Sequence, residues 1–391
     1  MPFMQTVKCT PNHTMLVLVI HVTCHDNIAM NIIQIPTLVD VHVHLREPGA
    51  TQKEDFETGT KSAVAGGYTQ ILDMPNNTPP TTTPEALSQK AKLAKGRIWC
   101  DLGFNFGATA DSAKYFDRVQ KNVFGLKVYM NQTTGPLLVD KSKDLNLIFK
   151  SWKSHLPIMV HAQGETMETA ISLAKKYKRR LHICHITAGQ ISTVSKAKKE
   201  GLSISSEVCP HHLFLDVTDV KKLGPLGMMK PPLLTKSEQK KLWQNLDKID
   251  MISTDHAPHT LEEKSDESSP KFGVPGLETT LPLMLNAMSH GLISQDRLIE
   301  MTSGAPRRIF HLPDQPNTYV QIDLSKQYTI GNKNLYTKCA WTPFAGKKGR
   351  GIIKNIVLRG KSIFKDGKFQ GKPSGRITYP NSHKSLLRIN P

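Results

Sequence analysis

Eight short apolar runs alternate with longer amphipathic stretches over most of the chain, and this alternation restricts the possible folds more than any other feature of the sequence. Each run has the length of a strand, and the stretches between them repeat apolar residues every three to four positions, as helices do. The runs cover residues 38–44, 69–74, 101–106, 124–130, 157–162, 181–186, 202–208 and 251–255, with helical patterns such as 84–95, 164–178, 188–199 and 236–246 between them. Eight strand–helix units in succession predict an α/β fold, a (β/α)8 TIM barrel.

Both ends of the 391-residue chain fall outside this count and look rich in β-structure. Asp366-Gly367, between two strand-like runs near the C-terminus, is typical of a hairpin turn. We expect three parts: an N-terminal β segment (1–35), the barrel (36–312), and a C-terminal β-rich segment (313–391) that packs with the first to form a small domain. The polar stretch 263–272 is expected to be a loop after the eighth strand.

The chain carries 51 basic and 33 acidic residues, a formal net charge of +18. Such an excess favours anionic partners. The densest basic run, residues 175–180, has helical periodicity and little aromatic interleaving. We therefore interpret it as a solvated helix face and expect no nucleic-acid binding.

Six cysteines are widely spaced without a C-x-x-C pair. This pattern argues against a disulfide framework and a structural zinc ribbon, and it fits a reducing, cytoplasmic setting. The apolar run 15–20 is too short to span a bilayer, and no signal-peptide pattern accompanies it. We interpret that run as a strand and expect no membrane association.

His42 and His44 stand two residues apart at the end of the first predicted strand. Successive strand side chains alternate faces, so the two imidazoles point the same way and can hold one metal ion. Arg46, two residues further on, can reach an anionic group beside them. For an isolated His-x-His, one packed and one solvated histidine is an equally good interpretation.

Further metal-capable residues fall at or near the C-terminal ends of later strands, where barrel enzymes carry their chemistry. They are Lys127 in the fourth strand, His161 and His185 ending the fifth and sixth, and Asp255 ending the eighth. A lysine inside an apolar strand must be neutralised, paired or chemically altered, unless it snorkels outward. A neutral amine can take up carbon dioxide to form a carbamate, an anionic ligand able to bridge two metals, which is the interpretation we favour for Lys127.

Several motifs support this interpretation and together give a definite resemblance. They are DVHVHLREPG (40–49), DMPN (73–76), GLKVYMN (125–131), HICH (182–185), PHHL (210–213), TDHAPHTLEE (254–263) and PGLET (275–279). With these motifs the chain resembles the dihydroorotases of the amidohydrolase superfamily, in particular the dihydroorotase domain of animal multifunctional pyrimidine-synthesis proteins. The resemblance spans nearly the whole predicted barrel.

The resemblance implies a binuclear zinc site. One zinc ion would be held by His42, His44, carbamylated Lys127 and Asp255, and the other by Lys127, His161 and His185. Substrate would contact the side chains of Arg46, Asn76 and His259 and main-chain groups near Pro275 and Gly276. Thr133 and Thr134 correspond to a mobile loop that closes over substrate.

The implied reaction is the reversible cyclisation of N-carbamoyl-L-aspartate to L-dihydroorotate in de novo pyrimidine biosynthesis. A hydroxide bridging the metals would attack the ring amide carbonyl, and Asp255 would carry a proton to the leaving nitrogen. The family also implies a homodimer and possible association with aspartate transcarbamoylase.

Two matched positions, Cys184 and Glu207, suggest a third zinc ion, although the sequence favours a buried packing cysteine at 184. Lys230 stands where relatives carry arginine or asparagine, which bears on substrate affinity. By strand alternation, His182 is expected to face away from His185, toward the helices. His211 and His212 are expected to be hydrogen-bonded loop residues.

Other functions remain open at this point. A hydantoinase, dihydropyrimidinase or allantoinase could share the metal site, but Arg46 suits a substrate with a free carboxylate. A catalytically inactive scaffold that binds other pathway enzymes would not need the six predicted metal ligands, all of which are present. Nucleic-acid binding rests on net charge alone.

Overall fold

The computed structural model describes residues 19–22, 30–133, 135–266, 268–269 and 271–381, with side chains from residue 31 onward. Its strands are β1 (Val19–Val22), β2 (Met30–Ile35), β3 (Leu38–Val43), β4 (Tyr68–Asp73), β5 (Asp101–Phe104), β6 (Phe106–Gly107), β7 (Leu126–Tyr129), β8 (Ile158–His161), β9 (Leu181–Ile183), β10 (Ile204–Val208), β11 (Met251–Ile252), β12 (Tyr319–Thr329), β13 (Lys348–Leu358), β14 (Lys361–Lys365) and β15 (Lys368–Phe369).

The α-helices are α1 (Phe56–Ala65), α2 (Pro84–Ala94), α3 (Phe116–Val119), α4 (Ser142–Ser151), α5 (Glu165–Tyr177), α6 (Ile191–Lys199), α7 (Pro210–Phe214), α8 (Val217–Leu223), α9 (Lys236–Gln244), α10 (Leu261–Ser265), α11 (Leu277–Ser289), α12 (Gln295–Ile299) and α13 (Ala305–Ile309). A π-helical turn, Glu300–Gly304, joins the last two.

Strands β3 to β11 form the predicted barrel. All their pairings are parallel, in two sheets with the orders β3-β4-β5 and β6-β7-β8-β9-β10-β11. β5 and β6 are one strand unit interrupted at Asn105, and a parallel bridge from Val43 to His256 joins the first unit to the segment after the last. Eight strand units therefore close the barrel, and the predicted fold class is confirmed.

The barrel strands are buried on both faces, which explains their nearly continuous apolar runs. Val39, Val41, Leu72, Phe124 and Met159 belong to one apolar cluster, and a second, larger cluster packs the other strand faces against the helices. No barrel strand extends more than one residue beyond its predicted run, and β9 and β11 end three residues earlier than predicted. The polar stretch 263–272 was predicted wrongly as all loop, because α10 extends into it as far as Ser265.

The small sheet combines the two ends of the chain, in the order β1-β2-β12-β13-β14-β15 with antiparallel pairings. The expected hairpin joins β14 and β15, and its turn residues Asp366 and Gly367 both have positive φ, 46° and 78°. Such a turn matches the twist of the strands.

Gly351 of β13 lies against α11 so closely that an added Cβ would be 2.7 Å from Leu285 Cδ1. We retain 1–35, 36–312 and 313–391 as proposed boundaries.

The described cysteines, Cys100, Cys184, Cys209 and Cys339, are buried and free. Cys9, Cys24 and part of the predicted strand 15–20 lie outside the described residues. None of the described helices is both long and apolar enough to cross a membrane.

A buried ion pair fixes the loop that leaves the first barrel strand. Lys90 of α2 points toward the barrel strands, and its Nζ lies 2.7 Å from Asp73 Oδ2 at the end of β4. The other carboxylate oxygen of Asp73 accepts a 2.8 Å hydrogen bond from the main-chain N–H of Leu45. Lys90 and Asp73 are both fully buried, so each charge depends on the other for compensation.

We expect Lys90→Met to lower the free energy of unfolding by about 3–5 kcal/mol, because Asp73 would be left buried without its counter-charge. Urea unfolding measures this loss. Lys92→Met, at an exposed position on the same helix, is the matched control and should change stability little. Equal losses in the two variants would contradict a role for the ion pair.

Glu278, in the first turn of α11, ties the barrel to the loop between β12 and β13. Its carboxylate accepts hydrogen bonds from the main-chain N–H groups of Tyr336 (3.0 Å) and Thr337 (2.9 Å). Burial nevertheless raises the pKa of Glu278 to about 7. The folded state therefore binds a proton here more tightly than the unfolded chain does.

This raised pKa predicts a pH-dependent stability. The contribution is fully present below the unfolded pKa of about 4.5 and is lost as the pH rises through about 7. Relative to Glu278→Gln, the parent should lose about 2 kcal/mol of unfolding free energy between pH 5.5 and 8. Chemical unfolding of both proteins across this range tests it, and a constant difference would contradict it.

Candidate active site

The first group of predicted ligands gathers around one carboxylate. His42 is in β3 and His44 follows its end, and their Nε2 atoms lie 3.3 and 3.0 Å from the same oxygen of Asp255, Oδ1. Asp255 arrives from the segment after β11. The first and last strands of the barrel thus meet at these three side chains, which together could hold a metal ion.

The second group lies beside the first. His161, at the end of β8, and His185, just after β9, are 2.8 Å apart from Nδ1 to Nε2. The ring centroids of His42 and His185 are 5.6 Å apart, which joins the groups. Lys127 of β7 lines the same cavity as all five of these residues. The structure therefore brings all six predicted ligands together around one cavity of about 50 Å³.

Three site residues adopt backbone conformations that a regular strand does not allow. Arg46, His185 and Asp255 have φ values of 61°, 36° and 46°. Left-handed φ is uncommon outside glycine and costs backbone energy that the surrounding structure must offset. Here it turns each side chain toward the cavity just after the strand ends.

The imidazoles of His44, His161 and His185 are held neutral. Burial lowers the pKa of His44 to about 4 and that of His161 to about 3, and it lowers the pKa of His185 well below its usual range. Each ring therefore keeps a free electron pair at neutral pH. Neutral imidazole is the form that binds metals.

His42 behaves differently because two carboxylates face it. Burial and Lys127 alone would lower its pKa, but Glu207 and Asp255 outweigh them and raise it to about 10. Burial opposes the ionisation of Asp255, but His42 and His44 hold the pKa of Asp255 below its usual range. The cavity thus combines carboxylate charge with the three neutral imidazoles of His44, His161 and His185, a donor set that fits a divalent cation such as zinc.

Lys127 fits the carbamate prediction. It is fully buried, and among the described residues no carboxylate lies within ion-pair distance of its Nζ. Its Nζ donates a 2.9 Å hydrogen bond to Cys184 Sγ instead. Carbamylation would convert this buried amine into an anionic ligand.

Only some of the residues that were predicted to contact substrate line the cavity. Arg46, Asn76 and Thr133 line the cavity. His259 lies behind Arg46, with its Nε2 3.2 Å from an Arg46 guanidinium nitrogen. Burial, Arg46 and Lys53 hold the pKa of His259 far below its usual range. Thr134 lies outside the described residues.

Pro275 and Gly276 are buried outside the cavity lining. The Gly276 N–H donates to His256 Nδ1 (3.2 Å), and the Gly276 carbonyl accepts from Thr280 Oγ1 (2.8 Å). Both main-chain groups of Gly276 therefore have partners within the protein. The neighbouring Phe272 and Gly273 reach the cavity instead.

Sequence reasoning missed several residues around the cavity. Tyr129, Ala257, Phe272 and Gly273 line it. Lys230, which the sequence had linked to substrate affinity, also lines it; its Nζ donates to the Gln132 carbonyl (3.2 Å) and lies 4.4 Å from the centroid of the Phe272 ring. Of the residues that were missed, only Tyr129 could have been found from the sequence, because it lies two residues after Lys127 in the same motif and on the same strand face.

Glu207 and His182 form a buried chain behind His42. Glu207 accepts a hydrogen bond from His42 Nδ1 through one oxygen and lies 3.0 Å from His182 Nε2 through the other. His182 therefore points to the barrel interior, not toward the helices, and its prediction was wrong. Alternation from His185 failed because β9 ends at Ile183 and His185 has a left-handed φ.

Two other groups of potential ligands were found. His42, Cys184 and Glu207 lie close enough together to hold an ion, so the third zinc site stays a prediction. Cys209, His211 and His212 form the other group. His212 Nε2 lies 3.1 Å from the Pro231 carbonyl, as a hydrogen-bonded residue should, whereas His211 Nε2 has no hydrogen-bond partner among the described residues.

A parallel barrel with catalytic-type side chains at the C-terminal ends of its strands is the architecture of (β/α)8 hydrolases. A model of the amidohydrolase family matches residues 33–315, most of the chain. The chain belongs to the amidohydrolase family.

Two relatives are informative. The chain is 43% identical over 338 residues to the multifunctional protein CAD of Squalus acanthias, a match that covers 86% of this chain and 15% of that protein. It is 34% identical over 375 residues to dihydroorotase of Pyrococcus furiosus, covering 90% and 87% of the two chains. The chain thus spans about 15% of the multifunctional relatives that it matches but most of the archaeal enzyme.

Solved structures agree on the fold. An L-hydantoinase from Arthrobacter aurescens superimposes with a TM-score of 0.85 at 24% identity, covering 89% of each chain. The inactive dihydroorotase-like domain of a CAD-like multifunctional protein from Chaetomium thermophilum gives a TM-score of 0.75 at 26% identity, covering 88% of this chain and 98% of that one.

We expect Glu207→Gln to weaken metal binding by about 10- to 100-fold, because the carboxylate that orients His42 would lose its charge. Competition with a chromophoric chelator measures the affinity, and Glu200→Gln, an exposed position, is the control. Loss of one metal per chain with unchanged affinity for the rest would instead identify Glu207 as a ligand of a third ion. Unchanged affinity and stoichiometry would contradict both roles.

Proposed function

We propose that the chain is a dihydroorotase, which interconverts N-carbamoyl-L-aspartate and L-dihydroorotate in de novo pyrimidine biosynthesis. The observation that carries this proposal is Arg46, a partly buried cation that lines the same cavity as the six candidate metal ligands. A cyclic amide that carries a carboxylate can place its amide among those ligands and its carboxylate against the guanidinium. The archaeal dihydroorotase relative, which the chain matches over most of its length, supports the same activity.

We assign two zinc ions to the site. His42, His44 and Asp255 would hold one, His161 and His185 the other, and carbamylated Lys127 would bridge them. When bound, such ions polarise a carbonyl oxygen and lower the pKa of water. Asn76 supports this arrangement, because its side-chain oxygen lies 2.7 Å from His44 Nδ1 and fixes the orientation of that ring.

The chain's own residues would then bind the substrate and move the proton. Arg46 is held by a 3.0 Å hydrogen bond from its Nε to the Pro258 carbonyl, which aims its terminal nitrogens. Asp255 is ionised and lies beside both His42 and His44. It would take a proton from the attacking water and deliver it to the ring nitrogen as the C–N bond breaks.

A hydantoinase-like activity is the second candidate, and the superposition with L-hydantoinase supports it only at the level of fold. Arg46 argues against it, since a substrate without a carboxylate would leave this partly buried cation without a counter-charge. An inactive scaffold is the third candidate, by analogy with the inactive fungal domain. The complete set of six candidate ligands argues against it.

We propose further that the protein acts as a homodimer in a reducing cytoplasmic setting and associates with aspartate transcarbamoylase. The match to multifunctional proteins supports this association, because such proteins join several domains in one chain. Neither nucleic acid nor membrane enters the proposal.

The decisive experiment compares the zinc-loaded parent with Lys127→Ala on dihydroorotate. We expect the parent to hydrolyse it and the variant to lose activity by at least about 10³-fold, since the bridging ligand is removed. A short carboxylic acid added in solution should restore part of the activity by occupying the vacated ligand position. Lys121→Ala, at an exposed position, is the control.

Other outcomes separate the alternatives. A parent that binds two metals and hydrolyses hydantoin or dihydrouracil but not dihydroorotate would support the second candidate. A parent that binds no metal and hydrolyses none of the three would support the scaffold.

A further inference from the structure

Residues 272–276, here called the wall segment, meet one side of the cavity through their first two residues. Phe272 and Gly273 line the cavity directly. The segment is held by main-chain hydrogen bonds, from the Ala257 N–H to the Val274 carbonyl (2.9 Å) and from the Gly273 N–H to the Met228 carbonyl (3.0 Å). Its far end is held by a side chain, His256, which accepts the Gly276 N–H at 3.2 Å.

This hydrogen bond determines the tautomer of His256. A main-chain N–H can only donate, so Nδ1 of His256 must present its electron pair to Gly276. The proton of the neutral ring is therefore on Nε2. Nε2 faces Glu54, with its nitrogen 3.3 Å from Oε2, and the carboxylate holds the ring in this orientation.

Glu54 is fully buried and receives hydrogen bonds from several directions. Besides His256, it accepts bonds from the hydroxyls of Thr58 and Thr337 and from the main-chain N–H of Lys338 (3.1 Å). Thr337 and Lys338 belong to the loop between β12 and β13. The Glu54 carboxylate therefore links the small terminal sheet to the wall segment through one imidazole ring.

His256 also connects the wall to the candidate ligands. Its carbonyl accepts a 2.8 Å hydrogen bond from the main-chain N–H of His44, and it directly follows Asp255. The backbone of His256 is thus fixed relative to the candidate ligands, while its ring is fixed by Glu54. The His256 ring therefore sets the distance between the candidate ligands and Gly276. Gly276 is already close to Thr254, because an added Cβ on Gly276 would be 3.2 Å from Thr254 Cβ.

We propose that Glu54 and His256 form a positioning pair that holds the wall segment against substrate and so determines substrate affinity. The proposal rests on the proposed function, because dihydroorotate is the substrate whose affinity it concerns. Neither residue lines the cavity or touches the reacting atoms. Thr337 donates a hydrogen bond to Glu54, so the loop of the small terminal sheet that carries Thr337 also contributes to substrate affinity.

Two substitutions at one position separate this role from general stability. Asn at 256 places its carbonyl oxygen near the position of Nδ1, so His256→Asn can still accept the Gly276 N–H while it loses Glu54. Gln at 256 reaches only toward the position of Nε2, so His256→Gln keeps Glu54 but loses Gly276. Both variants remove the same ring and leave similar space in the core.

We expect His256→Gln to raise KM for dihydroorotate about tenfold with kcat changed less than about twofold, since one positioning hydrogen bond is lost. His256→Asn should stay within about threefold of the parent KM. Amide hydrogen exchange at Gly276 should accelerate in His256→Gln and not in His256→Asn. Thr337→Val should raise KM by about two- to threefold, whereas Thr302→Val, which removes a buried hydroxyl bonded within its own helix segment, should not.

Equal KM values in His256→Gln and His256→Asn, with unchanged exchange at Gly276, would overturn the positioning role and leave the proposed function intact. A fall in kcat with unchanged KM would also overturn it, because His256 would then act on the chemical step. A parent that neither binds nor hydrolyses dihydroorotate would overturn the proposed function and this inference with it. Metal content, measured for every variant, must equal that of the parent for the comparison to hold.

Discussion

The arrangement of the site depends on carboxylates buried among imidazoles. Asp255 meets His42 and His44 on one oxygen, and this contact joins the last barrel strand to the first. Taking such charges out of water costs several kcal/mol each unless charge or hydrogen bonds compensate them. Compensation requires close contacts, and close contacts require that the strand ends stay in register. The compensation of the buried charges and the closure of the barrel therefore depend on each other.

The same constraint recurs one layer further out. Asp73, Glu207 and Glu54 are buried acids. Asp73 pairs with Lys90 and holds the loop after β3, Glu207 orients the rings of His42 and His182, and Glu54 orients the ring of His256 behind the cavity. Lys264 shows the converse, because its buried Nζ donates to the carbonyls of Met228, Lys271 and Gly273 and so holds the loops on one side of the cavity together. Such buried partners orient the groups that would hold metal and substrate. Buried charged groups therefore help to hold the loops at the barrel mouth.

Left-handed backbone at Arg46, His185 and Asp255 fits this picture. A regular strand would alternate these side chains between the interior and the helices. Each strand ends two or three residues before these positions, so that the backbone can turn and bring the three side chains to the same cavity. The cost of these conformations is offset by the buried contacts that the side chains make there.

The sequence by itself determined the eight-stranded barrel, the terminal sheet and all six candidate ligands around the cavity. Strand periodicity and chain order are local properties, and a parallel barrel brings the C-terminal ends of its strands together whatever the details of packing. Only the tertiary structure decided which acidic side chain contacts which histidine. Glu207 reaches His42 across 165 positions and Glu54 reaches His256 across 202. No local pattern specifies such pairs, because they depend on backbone turns and side-chain directions that exist only once the barrel has closed. For the same reason His182 was misplaced and the internal partners of Gly276 were not foreseen.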